Sequence, residues 1–323
     1  MEEVAVRSTR FVFSVAAVAI ALSAHGQSYP AKPIRYIVPF PAGGGQDLVV
    51  RALAPRLTEA LGQPIVVDNR PGAATMVGAE LAAKSPPDGY TVFNGSNTTL
   101  SINPNLYTKV PYDPIRDFMP VTQIASVPNL LIVHPSLPAK SVKELAALAR
   151  SRPNQLNYAS SGIGTPAQLA GVMFGDAANA KLVHVPYRGT SLALTAVISG
   201  ESQIMFSSMA AALPFVKSGR MRAIAVTGAK RSLAAPDVPT VAETFTGFEA
   251  ITWYGLFVPA GTPAAIIARL NSETVKILRA PDFRDWLVGQ GADPAPSTPE
   301  ELAAFVKAEL VKYAKLVKDS GMK

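Results

Sequence analysis

Strand-like and helix-like patterns alternate along most of this 323-residue chain. The N-terminal part has predicted strands at residues 34–40, 65–68 and 90–94, and predicted helices at 46–61 and 74–84. A second set has predicted strands at 156–159, 182–185, 203–206 and 222–226, and predicted helices at 142–151, 166–177, 191–199 and 210–218. Strands that alternate with helices favour βαβ units in mostly parallel sheets. The sequence therefore predicts an α/β fold.

Two long strand-like segments without a helix, residues 121–134 and 248–259, interrupt this alternation. They separate the two alternating sets, so the chain would pass from one lobe to another and then return. We expect lobe 1 to comprise residues 27–125 and 250–323, with C-terminal helices at 264–278 and 299–318, and lobe 2 to comprise residues 126–249. Two mostly parallel sheets flanked by helices would thus be joined by two crossing strands, with a ligand cleft between the lobes.

The first 26 residues have the pattern of a secretory signal peptide. Arg7 and Arg10 give a basic start, residues 11–22 are apolar apart from Ser14, and small residues at Ala24 and Gly26 suit a cleavage site. The apolar stretch is too short for a stable membrane span. We expect residues 1–26 to be removed and the mature chain to reside in the periplasm.

The composition argues against several classes of partner. The net charge is +7 and the pI is about 9.5, but the nearest approach to a basic tract is a set of lysines on the predicted last helix, which fits a solvated helix face. No nucleic-acid motif accompanies them, so we expect no nucleic-acid partner. The chain has no cysteine and only three histidines, which argues against a zinc site of the His/Cys type, and we predict no metal.

Motifs for catalysis or nucleotide binding are incomplete. The chain has no G-x-S-x-G, H-E-x-x-H or G-x-x-x-x-G-K-[ST] sequence. Residues 162–167 ("GIGTPA") match a dinucleotide fingerprint between a predicted strand and helix, but the acid required about 20 residues later is absent. His184, Val185 and Tyr187 occupy that region instead. We therefore predict no catalytic residue, no cofactor and no enzymatic activity.

Loops that lead from predicted strands into predicted helices carry glycines and neutral hydroxyl groups. In parallel sheets such loops meet at one crevice, where free backbone N–H groups at helix N-termini favour an anion. A small carboxylate suits this inventory better than acid–base chemistry. The predicted ligand-binding residues are Phe40, Ala42, Gly43, Gly44, Asp47, Ser96, Thr98, Ser160, Gly164, Thr165, Tyr187, Arg188 and Ser207.

Several of these residues also have a purely structural interpretation. The triple glycine at residues 43–45 could be a tight connection, and Asp47 could complement the helix dipole in the first turn. Thr165 could cap its helix, and Tyr187 with Arg188 could form an exposed turn. Sequence alone leaves these alternatives open.

Five segments in order resemble the Bug family, the TctC-like extracytoplasmic solute-binding proteins of tripartite tricarboxylate transporters. They are "PFPAGGGQD" (39–47), "VVDNRPGAATMVGAELAAKSPPDGYT" (66–91), "SSGIGTPAQLAG" (160–171), "HVPYRG" (184–189) and "GLFVPAGTP" (255–263). The resemblance covers essentially the whole mature chain. Three positions depart from the family pattern: Gln46 replaces Ser or Thr, Gln168 replaces His, and Gln203 replaces an acid.

The resemblance implies a two-lobed, type II-like periplasmic-binding-protein fold. It also implies a carboxylate ligand held by backbone amides and ordered water, with residues 40–47 of lobe 1 facing residues 160–165 of lobe 2. The ligand would be delivered to membrane transporter subunits, and we expect a monomer. Two alternatives stay open: a periplasmic sensor that presents its ligand to a membrane kinase, and an exported α/β enzyme.

Overall fold

The computed structural model describes residues 29–319, which form a curled mixed β-sheet covered by helices. The strands are β1 (Ile34–Val38), β2 (Ile65–Asn69), β3 (Thr91–Ser96), β4 (Phe118–Val133), β5 (Asn157–Ser160), β6 (Val183–Pro186), β7 (Ile204–Ser208), β8 (Arg222–Val226), β9 (Ile251–Pro259) and β10 (Asp293–Pro294). The helices are α1 (Gly45–Leu61), α2 (Met76–Ala83), α3 (Asn103–Leu106), α4 (Val142–Ser151), α5 (Pro166–Ala178), α6 (Thr190–Ser199), α7 (Met209–Lys217), α8 (Ala264–Arg279), α9 (Pro281–Gly289) and α10 (Pro299–Asp319). Short helical turns occur at Ala73–Thr75, Thr98–Ile102 and Val241–Glu243.

The strand order is β2-β1-β3-β9-β4-β7-β5-β6, with β8 and β10 also paired to β4. The outer strands pair in parallel, as predicted, but β9 is antiparallel to β3, and β4 is antiparallel to β9, β7 and β8. The α/β class is therefore confirmed, whereas the expected two mostly parallel sheets are joined into one mixed sheet.

The two crossing segments are strands, and β4 explains why the sheet is continuous. Residues 118–128 of β4 pair with β9, and residues 129–133 pair with β7 and β8, so one strand of 16 residues belongs to both halves. We call the part with β1, β2, β3 and β9 the first half and the part with β5 to β8 the second half. The exact lobe boundaries predicted above stay a prediction.

Each half of the sheet has its own hydrophobic core. Tyr36, Leu53 and Val92 are buried together in the first half, and Leu131 and Phe206 are buried together in the second. Further buried clusters cover the opposite face of each half, and a small cluster joins Ile102, Leu169 and Tyr313.

The predicted signal peptide, residues 1–26, lies outside the described residues. None of the helices within residues 29–319 is long and apolar enough to cross a membrane. The same residues contain no group of three or more metal-ligating side chains.

Candidate functional site

A cavity of about 300 Å³, here called the α1 chamber, lies where the N-terminus of α1 approaches β9. A smaller cavity of about 130 Å³, the α7 chamber, lies where β7 runs into α7. Both are lined by Pro166 and Thr252, so the two chambers form one cleft between the halves of the sheet. The α1 chamber is lined by Phe40, Pro41, Gly44, Gly45, Gln46, Thr98, Pro166, Thr252 and Tyr254. The α7 chamber is lined by Asn129, Ser161, Pro166, Ala167, Thr190, Met205, Phe206, Ser207, Ser208 and Thr252.

Among residues 29–319, no charged side chain lines either chamber. Instead, helices begin at their walls. The N-cap of α1 is Gly44, which has no side chain to cap the helix, and the first helical bond runs from the Leu48 N–H to the Gly44 carbonyl. The N–H groups of the first turn thus have no intrahelical partner and give this wall of the cleft a positive potential.

The α7 chamber also lies at helix N-termini. The N-caps of α6 and α7 are Gly189 and Ser208, and neither helix has a side-chain cap. Thr190, the first residue of α6, and Ser208 both line the chamber. An anionic group in either chamber would therefore meet unpaired backbone donors.

Hydroxyl groups that line the cleft add donors that the protein does not use. Ser207 is 1% exposed, and its Oγ has no hydrogen-bond partner. The side-chain hydroxyls of Thr98, Thr252 and Tyr254 likewise make no hydrogen bond within residues 29–319. Burial raises the pKa of Tyr254 to about 12, so its hydroxyl stays protonated and can donate.

Asp47 fixes the shape of the loop between β1 and α1. Its carboxylate accepts the Gly43 N–H at 2.8 Å, the Asn69 amide at 2.8 Å and the Arg51 Nε–H at 2.8 Å. The Asn69 amide also donates to the Phe40 carbonyl at 3.0 Å. Burial alone would raise the pKa of Asp47, but the hydrogen bonds from Arg51, Gly43 and Asn69 outweigh it and lower the pKa. The ionised carboxylate is fully engaged in holding the loop.

The side chains of the second predicted loop, residues 160–165, make hydrogen bonds within the loop and to neighbouring residues. The Ser160 hydroxyl lies 3.0 Å from the Gly162 carbonyl and 2.7 Å from His184 Nε2. The Thr165 hydroxyl donates to the Gly162 carbonyl at 2.7 Å and accepts the Gln168 N–H as the cap of α5. Burial lowers the pKa of His184, which favours its neutral form. These bonds stiffen the loop beside Pro166.

Four of the predicted residues line the cleft: Phe40, Gly44 and Thr98 in the α1 chamber and Ser207 in the α7 chamber. The others border the cleft or support it, and their role as ligand contacts stays a prediction. Three of them, Ala42, Gly43 and Arg188, are exposed, and three others, Asp47, Ser96 and Ser160, are buried. The remaining three make hydrogen bonds within the protein: Gly164 donates its N–H to Gln168 Oε1, Thr165 caps α5, and the Tyr187 hydroxyl donates to Glu201.

Sequence reasoning missed Thr252 and Tyr254, which come from the crossing strand β9. Along this strand Trp253 is fully buried in the core, so its two neighbours point to the opposite face. Side chains alternate between the two faces of a strand, so a large aromatic such as Trp253 in the core places its neighbours on the other face. This alternation is the sequence signal that could have identified Thr252 and Tyr254. Gln46 was recognised as an unusual residue but not as part of the lining.

A family model described as "Tripartite tricarboxylate transporter family receptor" matches residues 49–322. Protein BugT of Bordetella pertussis is 34% identical over 311 residues, which cover 96% of this chain and 95% of that protein. A structure of R. palustris Rpa4515 with adipate is 35% identical, with a TM-score of 0.76, and the match covers 91% of this chain and 98% of that one. MatC (Rpa3494) from Rhodopseudomonas palustris with bound malate is 32% identical, with a TM-score of 0.71 and coverage of 90% and 100%.

Proposed function

This chain belongs to the family of tripartite tricarboxylate transporter receptors, and we propose that it captures a small dicarboxylate in the periplasm and passes it to a tripartite membrane transporter. Members of this family are periplasmic solute-binding proteins rather than enzymes. The single observation that carries the proposal is the cleft, where unpaired backbone and hydroxyl donors line two connected chambers and the described part of the chain contributes no charged side chain.

A carboxylate is the ligand group that best satisfies these donors. Each helix N-terminus favours a negative charge by about 0.3–1 kcal/mol near the surface, and by more where the site is partly buried. This positive potential would not stabilise a neutral sugar as it stabilises an anion. The hydroxyl groups of a sugar would also need hydrogen-bond acceptors from the protein as well as donors. Because no arginine or lysine of the described residues lines the chambers, backbone amides and hydroxyls would hold the anion.

Two carboxylates fit the cleft better than one, because donors converge at both of its ends. The α1 chamber has the α1 N-terminus, and the α7 chamber has the N-termini of α6 and α7 together with the unpaired Ser207 hydroxyl. Two relatives with known structures hold adipate and malate, which are both dicarboxylates. We place one carboxylate of the ligand in each chamber.

Delivery would follow from closure of the two halves around the ligand. Residues of both halves line the cleft, and the halves are connected through β4 and β9, so bending of these strands would open or close it. The proposal includes export through the predicted signal peptide at residues 1–26 and docking of the closed form on the membrane subunits.

Isothermal titration calorimetry of the mature chain tests the binding step. The panel would contain succinate, malate, adipate, acetate, benzoate, an amino acid and a neutral sugar. We expect micromolar or tighter binding of at least one dicarboxylate and none of the sugar. Binding of the sugar alone would overturn the proposal. Loss of uptake of the labelled ligand in a deletion strain would test delivery.

Ser207→Ala is expected to weaken dicarboxylate binding by about 10-fold, because one hydrogen bond to a charged group is lost. The same change removes a buried hydroxyl that has no partner in the ligand-free protein, so the free energy of unfolding should stay equal or rise slightly. Ser101→Ala is the matched control, since Ser101 Oγ is also buried without a partner but does not line the cleft. Calorimetry and urea unfolding of both variants would check this; equal affinity of the two variants would remove Ser207 from the site.

A further inference from the structure

We propose that Gln46 is a specificity-determining residue. Its amide group selects dicarboxylates that carry a hydrogen-bond acceptor as a substituent on the carbon chain, and it rejects those that carry an ammonium group there. This inference rests on the proposed function and concerns the same cleft. Gln46 lines the α1 chamber although it is only 5% exposed.

A hydrogen bond from the protein core fixes the orientation of the Gln46 amide. Its Oε1 accepts a hydrogen bond from Asn94 Nδ2 at 2.7 Å, and Asn94 is completely buried on β3. The other end of the Asn94 amide, Oδ1, faces the Tyr36 hydroxyl at 3.5 Å. Burial raises the pKa of Tyr36, so this hydroxyl remains protonated and points its proton at Oδ1. The Tyr36–Asn94 pair therefore presents a donor, not an acceptor, to Gln46.

This arrangement leaves the two Nε2–H groups of Gln46 without a partner within residues 29–319. Since Oε1 is turned toward Asn94, the Nε2–H groups are the part of the amide that is left for the chamber. They stand beside the unpaired N–H groups at the start of α1, so this wall of the chamber favours acceptor atoms of a ligand.

An ammonium group on the ligand would find no compensating charge among the cleft residues of the described segment, 29–319. The nearby carboxylate of Asp47 is engaged by Gly43, Arg51 and Asn69 and does not line either chamber. Burying a cation against donors without an anion is strongly unfavourable. A hydroxyl, a carbonyl or a carboxylate oxygen at the same point would instead accept from Gln46.

Succinate, malate and aspartate form a matched set of probes, because they differ only in the substituent on one carbon: hydrogen, hydroxyl or ammonium. For the wild-type protein we expect malate to bind at least about 10-fold more tightly than aspartate. This factor corresponds to one buried hydrogen bond that the malate hydroxyl makes and the aspartate ammonium group cannot make. Gln46→Glu keeps the size of the side chain and lets one oxygen accept from Asn94, while the other faces the chamber as a negatively charged acceptor. This variant should bind malate about 10- to 100-fold more weakly and lose the preference for malate over aspartate.

Gln155→Glu is the control, because Gln155 is exposed on the second half and the substitution makes the same change in charge away from the cleft. It should leave the malate-to-aspartate ratio of dissociation constants unchanged. Equal binding of malate and aspartate by the wild-type protein, which needs no variant to fold, would overturn the role of Gln46, as would an unchanged ratio in Gln46→Glu. Failure of the wild-type protein to bind any dicarboxylate would overturn the proposed function and this inference with it.

Discussion

Gly45→Leu is expected to abolish dicarboxylate binding without destabilising the protein. A Cβ atom on Gly45 would lie 3.4 Å from the Tyr254 hydroxyl, and both residues line the α1 chamber. The rest of the leucine side chain would occupy the space that a ligand carboxylate needs. A clash of about 3 kcal/mol corresponds to a loss of affinity of about 100-fold or more.

The stability of this variant distinguishes a blocked site from a damaged fold. Gly45 is the first residue of α1 and does not need a left-handed backbone conformation, so leucine fits the helix and should raise the free energy of unfolding by up to about 0.5 kcal/mol. Gly289→Leu is the control, since Gly289 is also helical, has open space around its Cβ position and lies outside the cleft. Calorimetry should show normal binding for Gly289→Leu. Normal binding by Gly45→Leu would exclude the α1 chamber as the ligand site.

Asp47→Asn is expected to lower the free energy of unfolding by about 1–3 kcal/mol and to weaken ligand binding, because a buried carboxylate with three donors is replaced by an amide that cannot satisfy all of them. The loop from Phe40 to Gly44 would lose its anchor and the α1 chamber its defined wall. Urea unfolding monitored by fluorescence, together with calorimetry, measures both effects.

The pH dependence of this difference provides a second test. The pKa of Asp47 is lowered in the folded protein, so the stability that it contributes is present above the unfolded-state pKa, near 3.8, and is lost as the pH falls through the folded-state pKa. The difference between the wild type and Asp47→Asn should therefore be constant from pH 5 to 7 and shrink below about pH 4. Asp282→Asn is a matched control, because Asp282 also lies in the first turn of a helix and pairs with an arginine, but it is exposed. It should change stability far less than Asp47→Asn does, because an exposed ion pair contributes little. An equally small effect of Asp47→Asn would contradict the anchoring role.

The sequence predicted the parts of the fold that depend on local pattern. The alternation of strands and helices located β1 to β3 and β5 to β8 because period-two and helical patterns are properties of short segments. Pairing direction between distant strands is not such a property. The antiparallel centre of the sheet arises because β4 and β9 run side by side over most of their length, and each is a long strand whose partner is far away in the chain.

The same distinction applies to the candidate site. Phe40, Gly44, Thr98 and Ser207 could be predicted because each lies at or just beyond the end of a strand and before or at the start of a helical segment, where free donors collect. The partners of Asp47 could not be predicted, since Asn69 is brought to it by the pairing of β2 with β1. The buried contact between Gln46 and Asn94 likewise exists only in the folded chain.

The central claim is that a dicarboxylate lies in the cleft and is held by backbone amides and hydroxyls rather than by charged side chains. A crystal structure of the mature chain saturated with the dicarboxylate that binds most tightly tests it directly. We predict one carboxylate oxygen about 2.7–3.2 Å from the backbone nitrogen of Gly45 or Gln46, with the second carboxylate beside Ser207. A ligand found outside the two chambers, or with its carboxylates paired to arginine or lysine side chains, would contradict the account.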